Sequence, residues 1–188
     1  MKLPELDEAT LARAQAGDRS AFRALYERYA DVVYAFVRRM LFDDATAEDA
    51  LQDTFVRIAR SLASFDPRGP AALSTWILTI ARRAALTPRR PPPTVGLETT
   101  STLPPPVELS TMRRRLEDAL AALSPEQRAV FVLRECAQLS YDEIAIAVEA
   151  DVGTVRSRLH RARAALQERL RDLMEHTEGE GRGRKAGR

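Results

Sequence analysis

Between Thr87 and Leu109, 23 residues hold seven of the chain's eleven prolines. The segment, "TPRRPPPTVGLETTSTLPPPVEL", is unfit for a helix interior or a central strand, because each proline lacks an amide donor and fixes its own φ. It reads as a linker, so the 188-residue chain must fold on either side of it rather than through it. Polyproline-type chain rises ~3.1 Å per residue, which gives the segment a reach on the order of 70 Å when extended. Two small bodies are expected.

On both sides of the linker the apolar residues recur at helical spacing, with no convincing period-two strand, and the fold class is all-α. The spacing predicts an N-terminal domain over 1–86, the linker over 87–109, a C-terminal domain over 110–176 and a disordered basic tail over 177–188. Asp18 reads as the cap of a helix with Phe22, Leu25, Tyr26, Tyr29, Val33, Phe36, Val37 and Met40 on one stripe. "TAED" at Thr46–Asp49 reads as a capping box for a second helix, with Leu51, Phe55, Ile58 and Leu62 on its apolar face. A third helix begins near Ser74 and ends before Pro88. In the second half, "SPEQ" at Ser124–Gln127 and "SYDE" at Ser140–Glu143 are further capping boxes, the first with proline at the first helical position.

A formal charge of +2 conceals opposite local charges. Leu41–Val56 carries five acidic residues and no basic one, whereas from Gly153 onward ten arginines and lysines face five acids. Affinity for a polyanion therefore belongs to the C-terminal half.

A short helix from Ser140, a tight turn with Gly153 and a basic helix from about Thr154 form the outline of a helix-turn-helix, whose second helix lies in a DNA major groove. Advancing ~100° per residue from Val155 gathers Val155, Leu159, Ala162 and Leu166 on one face. Ser157, His160, Arg161 and Ala164 then point outward, with Arg156 on one shoulder and Arg158 on the other. Arg156 and Arg161 suit bidentate contact with guanine, while Arg158 and Arg163, beside the apolar stripe, suit phosphate. Exposed helices usually intersperse glutamates for pairing one turn away, and none appears here before Glu168.

The stretch "ALAALSPEQRAVFVLRECAQLSYDEIAIAVEADVGTVRSRLHRARAALQERL" resembles the promoter-binding C-terminal domain of bacterial RNA polymerase sigma factors of the extracytoplasmic-function group. The first half agrees independently. "GDRSAFRALYERYADVVYAFVRRM" resembles that group's opening helices, "AEDALQDTFVRIARSLASFDP" its polymerase-binding segment, and "STWILTIARRAAL" the helix that engages the upstream promoter element. The resemblance implies an alternative sigma factor that recruits core RNA polymerase to promoter DNA, works in the cytoplasm and is restrained by an anti-sigma partner.

Carried onto this chain, the resemblance assigns Glu48, Asp49, Gln52 and Asp53 to a coiled coil of the polymerase largest subunit. Asp49 also stands where a cap is expected. It assigns the loop "SFDPRGPAALS", with Phe65 and Arg68, to a base flipped from the melted strand, and Arg82 and Arg83 to the upstream element. Thr154, Arg156, Ser157, Arg158, His160, Arg161 and Arg163 fall on the distal element. Trp76 reads as core packing rather than a contact. Where the family commonly has "ARN" followed by aspartate, this chain has "ARRAALTPRR", with Arg83 at the asparagine position, so phosphate attraction through Arg82, Arg83, Arg89 and Arg90 is kept while specific readout there is in question. "EADVGT" also departs from the usual glycine and proline, leaving Gly153 and Thr154 to supply turn and cap.

No catalytic constellation emerges. The two histidines, His160 and His176, have no carboxylate or cysteine at metal-ligand spacing, and glycine-rich phosphate loops and nucleophile elbows are missing, so neither enzyme activity nor a cofactor is implied. Cys136 is the only cysteine, which fits a reducing compartment, and reads as a small buried residue on the apolar side of its helix. No apolar run approaches the ~18 residues of a membrane span, so direct membrane insertion is not expected. Two other readings stay open from residues alone: a helix-turn-helix regulator acting without polymerase, and a degenerate sigma serving as an interaction module.

Overall fold

The computed structural model describes residues 5–87 and 107–183, with side chains over 5–87 and 112–171. Most of the expected linker, 88–106, and the last five residues lie outside it. Eight α-helices and one 3-10 turn account for the regular structure of the described residues, which contain no strand: α1 Glu8–Gln15, α2 Arg19–Leu41, α3 Asp44–Ser61, the 3-10 turn Leu62–Ser64, α4 Leu73–Leu86, α5 Val107–Ala121, α6 Pro125–Glu135, α7 Tyr141–Val148 and α8 Val152–Gly183. The all-α expectation holds.

Helices α1 to α4 pack around the stripe foreseen on α2. Leu25, Tyr29, Val33, Phe36 and Val37 are buried there against Ala47, Ala50, Phe55 and Ile58 of α3 and Ile77, Leu78 and Ala81 of α4. Full burial of one such large side chain stabilises the fold by ~1.5 to 3 kcal/mol, so the shared stripe fixes which way each helix faces. The start of α4 has no local side-chain cap. Glu5 supplies it from the far end of the domain, accepting from the amide and hydroxyl of Ser74. The Tyr29 hydroxyl holds this strap from the core, accepting from the Leu6 amide at 3.1 Å. From α1, the Gln15 side-chain amide donates to the carbonyls of Leu62 and Phe65, at 3.0 and 2.7 Å, and secures the start of the loop before α4.

Asp18 caps α2 as expected, while α3 starts earlier than "TAED" suggests. Asp43 is its cap, accepting from the Thr46 amide at 2.7 Å. A carboxylate three residues ahead of an amide completes the first turn better than the threonine would, and it leaves Asp49 in mid-helix and exposed, not capping. Hydrogen bonds hold three capping carboxyls below the usual aspartate value: Asp18 through Ser20 and Arg13, Asp43 through the hydroxyl and amide of Thr46, and Asp151 through the same two groups of Thr154. A carboxyl held low in the folded chain binds fewer protons there than when unfolded. Its stabilisation is complete above the unfolded value of 3.8 and is lost as pH falls through the folded one. The melting midpoint, followed by far-UV circular dichroism, is therefore expected to stay level down to about pH 5 and to fall below about pH 4, less steeply in Asp18→Asn.

Helices α5 to α8 form the second unit. Both capping boxes occur as foreseen, at Ser124 with Gln127 and at Ser140 with Glu143. Ala119 and Leu120 of α5, with Leu123 in the turn after it, meet Ala162 and Leu166 of α8 in a small core of their own. Helix α5 begins at Val107, just after Pro106, and α8 runs on to Gly183, past the expected end of the domain at 176. No proline interrupts the chain after Val152, and each glycine costs a helix only about 1 kcal/mol, so the backbone continues where composition alone predicted disorder. Cys136 is also placed differently from expectation. It caps α6 at its C-terminal end and is exposed.

The two units are docked. Helix α4 packs against α7 and α2 against α6, and one apolar cluster runs through both, from Ile80, Ala81 and Ala85 of α4 to Ile144, Ala147 and Val148 of α7. Alanines on α4 keep its surface low enough for this approach. Arg128 clips the units together: its guanidinium donates to the Met40 carbonyl of α2 at 2.7 Å and to the carbonyls of Leu120, Ala121 and Leu123 at 3.0 to 3.1 Å, and lies 4.6 Å from the Phe42 ring centroid. A further bridge joins Arg38 to Glu117 of α5 at 3.2 Å, and Arg83 of α4 pairs with Glu149 at the end of α7.

Candidate nucleic-acid interface

Helix α8 divides around its axis as the residue spacing demands. Val155, Leu159, Ala162 and Leu166 are buried, with relative exposures of 0 to 5 %. Arg156, Ser157, His160, Arg161 and Arg163 are exposed, Thr154 and Arg158 half-buried. Arg163 is partly engaged, donating to Glu135 at 2.8 Å.

The turn ahead of α8 is built differently from the expectation. Glu149, not Gly153, takes the left-handed conformation, at φ 56°, and Asp151, not Thr154, is the cap, accepting from the Thr154 amide at 2.7 Å. The Thr154 hydroxyl donates to the same carboxylate. Gly153 has another use: a Cβ there would sit 3.0 Å from the capping Asp151 carboxylate, so the missing side chain keeps the cap in place. The result is the expected helix-turn-helix, α7 and α8 joined by a short turn, with the N-terminus of α8 free to approach a groove.

In the first unit the acidic residues share one side of α3. Glu48, Asp49 and Gln52 are exposed, and Asp53 is half-buried and paired with Arg57 at 2.9 Å. Of two apolar neighbours, sequence reasoning passed over Val56 and placed Tyr26 on the apolar stripe of α2, where the structure leaves it exposed. Val56 lies on the same side, one turn beyond Gln52, and is 47 % exposed, while Tyr26 is 42 % exposed and leans on Phe55 with centroids 4.6 Å apart. Val56 had a signal, being apolar but out of phase with the Leu51, Phe55, Ile58 stripe.

The loop from Ser64 to Ser74 separates its two candidates. Phe65 is 8 % exposed and packs on the half-buried Trp76 ring at 5.0 Å, so its ring serves the core in this arrangement, whereas Arg68 is exposed. Asp66 braces the turn, accepting from the Arg68 amide at 2.9 Å. On α4, Arg83 is exposed and Arg82 half-buried, with an Nε that donates to nothing. Burial pushes the Arg82 guanidinium below its ordinary value, with Glu149, Arg158, Glu126 and Arg83 all within electrostatic reach.

Comparison with known proteins places these parts in one family. Sigma-70 region 2 matches residues 25–90 and Sigma-70 region 4 matches residues 113–166. The RNA polymerase sigma-H factor of Pseudomonas aeruginosa is 31% identical over 93% of this chain and 98% of its own length. The ECF RNA polymerase sigma-E factor of Haemophilus influenzae is 33% identical over 89% of this chain and 97% of its own. The chain belongs to the extracytoplasmic-function sigma factors.

As such, this sigma factor binds core RNA polymerase and directs initiation at a particular set of promoters. Its fold matches CnrH, solved in complex with the cytosolic domain of CnrY, with a TM-score of 0.71 and 25% identity over 88% of this chain and 97% of that one. The sigma factor RpoE of Bartonella quintana, solved with the anti-sigma factor NepR, matches in fold with a TM-score of 0.59 and 23% identity over 80% of this chain and 96% of its own. In the sigma factor, region 2 covers most of α2 together with α3 and α4, and region 4 runs from Arg113 within α5 to Leu166 within α8. Both candidate DNA surfaces and the acidic patch fall inside the matched regions.

Proposed function

We propose that three surfaces divide the work of initiation. Thr154, Arg156, Ser157, Arg158, His160, Arg161 and Arg163 on α8 contact the distal promoter element. Arg82, Arg83 and Arg68 contact the upstream and melted element, with Phe65 supporting the loop from beneath. Glu48, Asp49, Gln52 and Asp53, flanked by Val56, contact core polymerase. An acidic face with an apolar flank suits a basic protein surface and repels the DNA that the rest of the molecule attracts. The sigma factor works in the cytoplasm by binding, without chemistry of its own. An anti-sigma protein is its natural restraint, a reading supported by the Bartonella quintana sigma factor solved with the anti-sigma factor NepR. Met112 and Leu116 of α5, 62 % and 44 % exposed, offer that partner apolar contacts.

The partition around α8 carries this reading. Its buried side leaves Arg161 facing outward and Arg158 beside the seam, and outward residues reach base edges while seam residues reach the backbone. Arg161→Ala is expected to relax discrimination at one base position by ~1 to 3 kcal/mol. Arg158→Ala is expected to weaken all sequences alike and to lower the salt slope by about one. Fluorescence anisotropy on matched and single-mismatch duplexes over a salt series measures both. Equal losses on specific and random DNA in the two variants would refute the assignment of faces.

A further inference from the structure

The loop from Ser64 to Ser74 closes on itself in its middle. The Gly69 amide donates to the Asp66 carbonyl at 3.0 Å, and the Asp66 carboxylate accepts from the Arg68 amide. Pro67 and Pro70 stiffen that turn, since each fixes its own φ. A stiff turn can still swing about its ends, and both ends are tied to the segment that precedes the matched region 2. At the front, Gln15 of α1 donates to the carbonyls of Leu62 and Phe65. At the back, Glu5 accepts from the amide and hydroxyl of Ser74. Leu11 and Ala14 are buried where α1 packs on α2 and the 3-10 turn, so Gln15 reaches the loop from a fixed base.

An exposed arginine on a swinging loop gains little from a strand it captures, because the loop loses its freedom on binding. That cost is avoided when the loop is held beforehand in the arrangement that binds. The Gln15 amide has two hydrogens to give, and both go to the loop rather than to its own helix. The Phe65 carbonyl is held by Gln15 and its ring by Trp76, which leaves the backbone at the entry to the loop one position. We propose that Gln15 is a positioning residue for capture of the melted strand: it sets the direction of the loop that presents Arg68, while Glu5 fixes where that loop rejoins α4. Neither side chain touches DNA. Both act through the loop, and they carry the upstream reader, formed by this loop and α4, beyond the region that the family match delimits. The proposal rests on the assignment of Arg68 to the melted element.

The test uses holoenzyme assembled from the full chain and purified core polymerase. One probe is a fluorescent single-stranded oligonucleotide carrying the non-template upstream element of a promoter that the holoenzyme transcribes; the other is a duplex carrying only the distal element. Gln15→Ala and the isosteric Gln15→Glu, which cannot donate, are expected to bind the single strand about fivefold more weakly and the distal duplex as wild type does. Glu5→Gln keeps an oxygen for Ser74 and should match wild type on both probes, whereas Glu5→Ala should follow Gln15→Ala. Arg68→Ala is expected to lose about tenfold on the strand. Adding Gln15→Ala to it should cost less than about twofold more, because the side chain to be positioned is gone. Losses that multiply in the double variant overturn the proposal, as do Gln15 variants within about twofold of wild type on the strand. So does an equal loss on the distal duplex, which marks general loosening of the fold, or a Glu5→Gln variant no better than Glu5→Ala. An Arg68→Ala holoenzyme that binds the strand like wild type overturns the loop assignment itself, and the proposal with it.

Discussion

Reversing the acidic patch on α3 is expected to abolish capture of polymerase while leaving the fold intact. Glu48→Lys with Asp49→Lys should weaken binding to purified core enzyme by about 100-fold, since like charges forced together at an interface cost several kcal/mol. The two positions suit the test. Both are exposed, neither side chain makes a hydrogen bond or ion pair among the described residues, and both lie away from the buried Ala47, Ala50 and Phe55 side of the helix. Surface changes of this kind alter stability by about 0.5 kcal/mol, so the melting midpoint should stay near that of the wild type. Competition between variant and wild type for a limiting amount of core measures the effect. A loss below about threefold would move the polymerase contact elsewhere on the molecule. Val56→Ala adds a finer test, because the apolar flank contributes contact area without charge.

The second large effect is expected at Arg128. This half-buried guanidinium joins the end of α5 to the Met40 carbonyl of α2 and covers the Phe42 ring, and burial holds it below its ordinary value. Arg128→Ala removes four charge-assisted donations at once. The released carbonyls gain water in return, so the loss should be about 2 to 3 kcal/mol rather than the sum of four bonds. For a chain of this size that lowers the melting midpoint by about 5 to 10 °C. Arg128→Lys should recover less than half, because an ammonium cannot address carbonyls on several sides from one plane. Thermal denaturation followed by circular dichroism decides it. Loss of a mere surface charge would leave both variants within about 1 °C of wild type.

What the sequence made legible was local. The boxes at Ser124 and Ser140, the cap at Asp18 and the buried side of α8 all depend on residues within a few positions of one another. Errors arose where two local solutions competed. Asp43 and Thr46 can each open a helix, and the acid's reach to the third amide decided in its favour. In the turn before α8, glycine drew attention to Gly153, although the left-handed residue is Glu149, which carries no such signal. Non-local features left no trace. Ala81 and Ala85 carry no signal in the sequence, and only the fold turns them into a seam. Arg83 reads as a phosphate contact and Glu149 as a turn residue, 66 positions apart, until docking pairs them.

The strap at the start of the first unit bears on how the molecule can be dissected. Glu5, Leu6 and Gln15 precede the matched boundary at residue 25, yet they cap the start of α4 and pin the loop ahead of it. A fragment trimmed to the family limits would begin after these residues. It would retain every residue assigned to DNA or polymerase in that unit and still present Ser74 without its acceptor, and Leu62 and Phe65 without the side-chain amide that holds their carbonyls. Such a fragment would misreport the upstream reader as intrinsically loose.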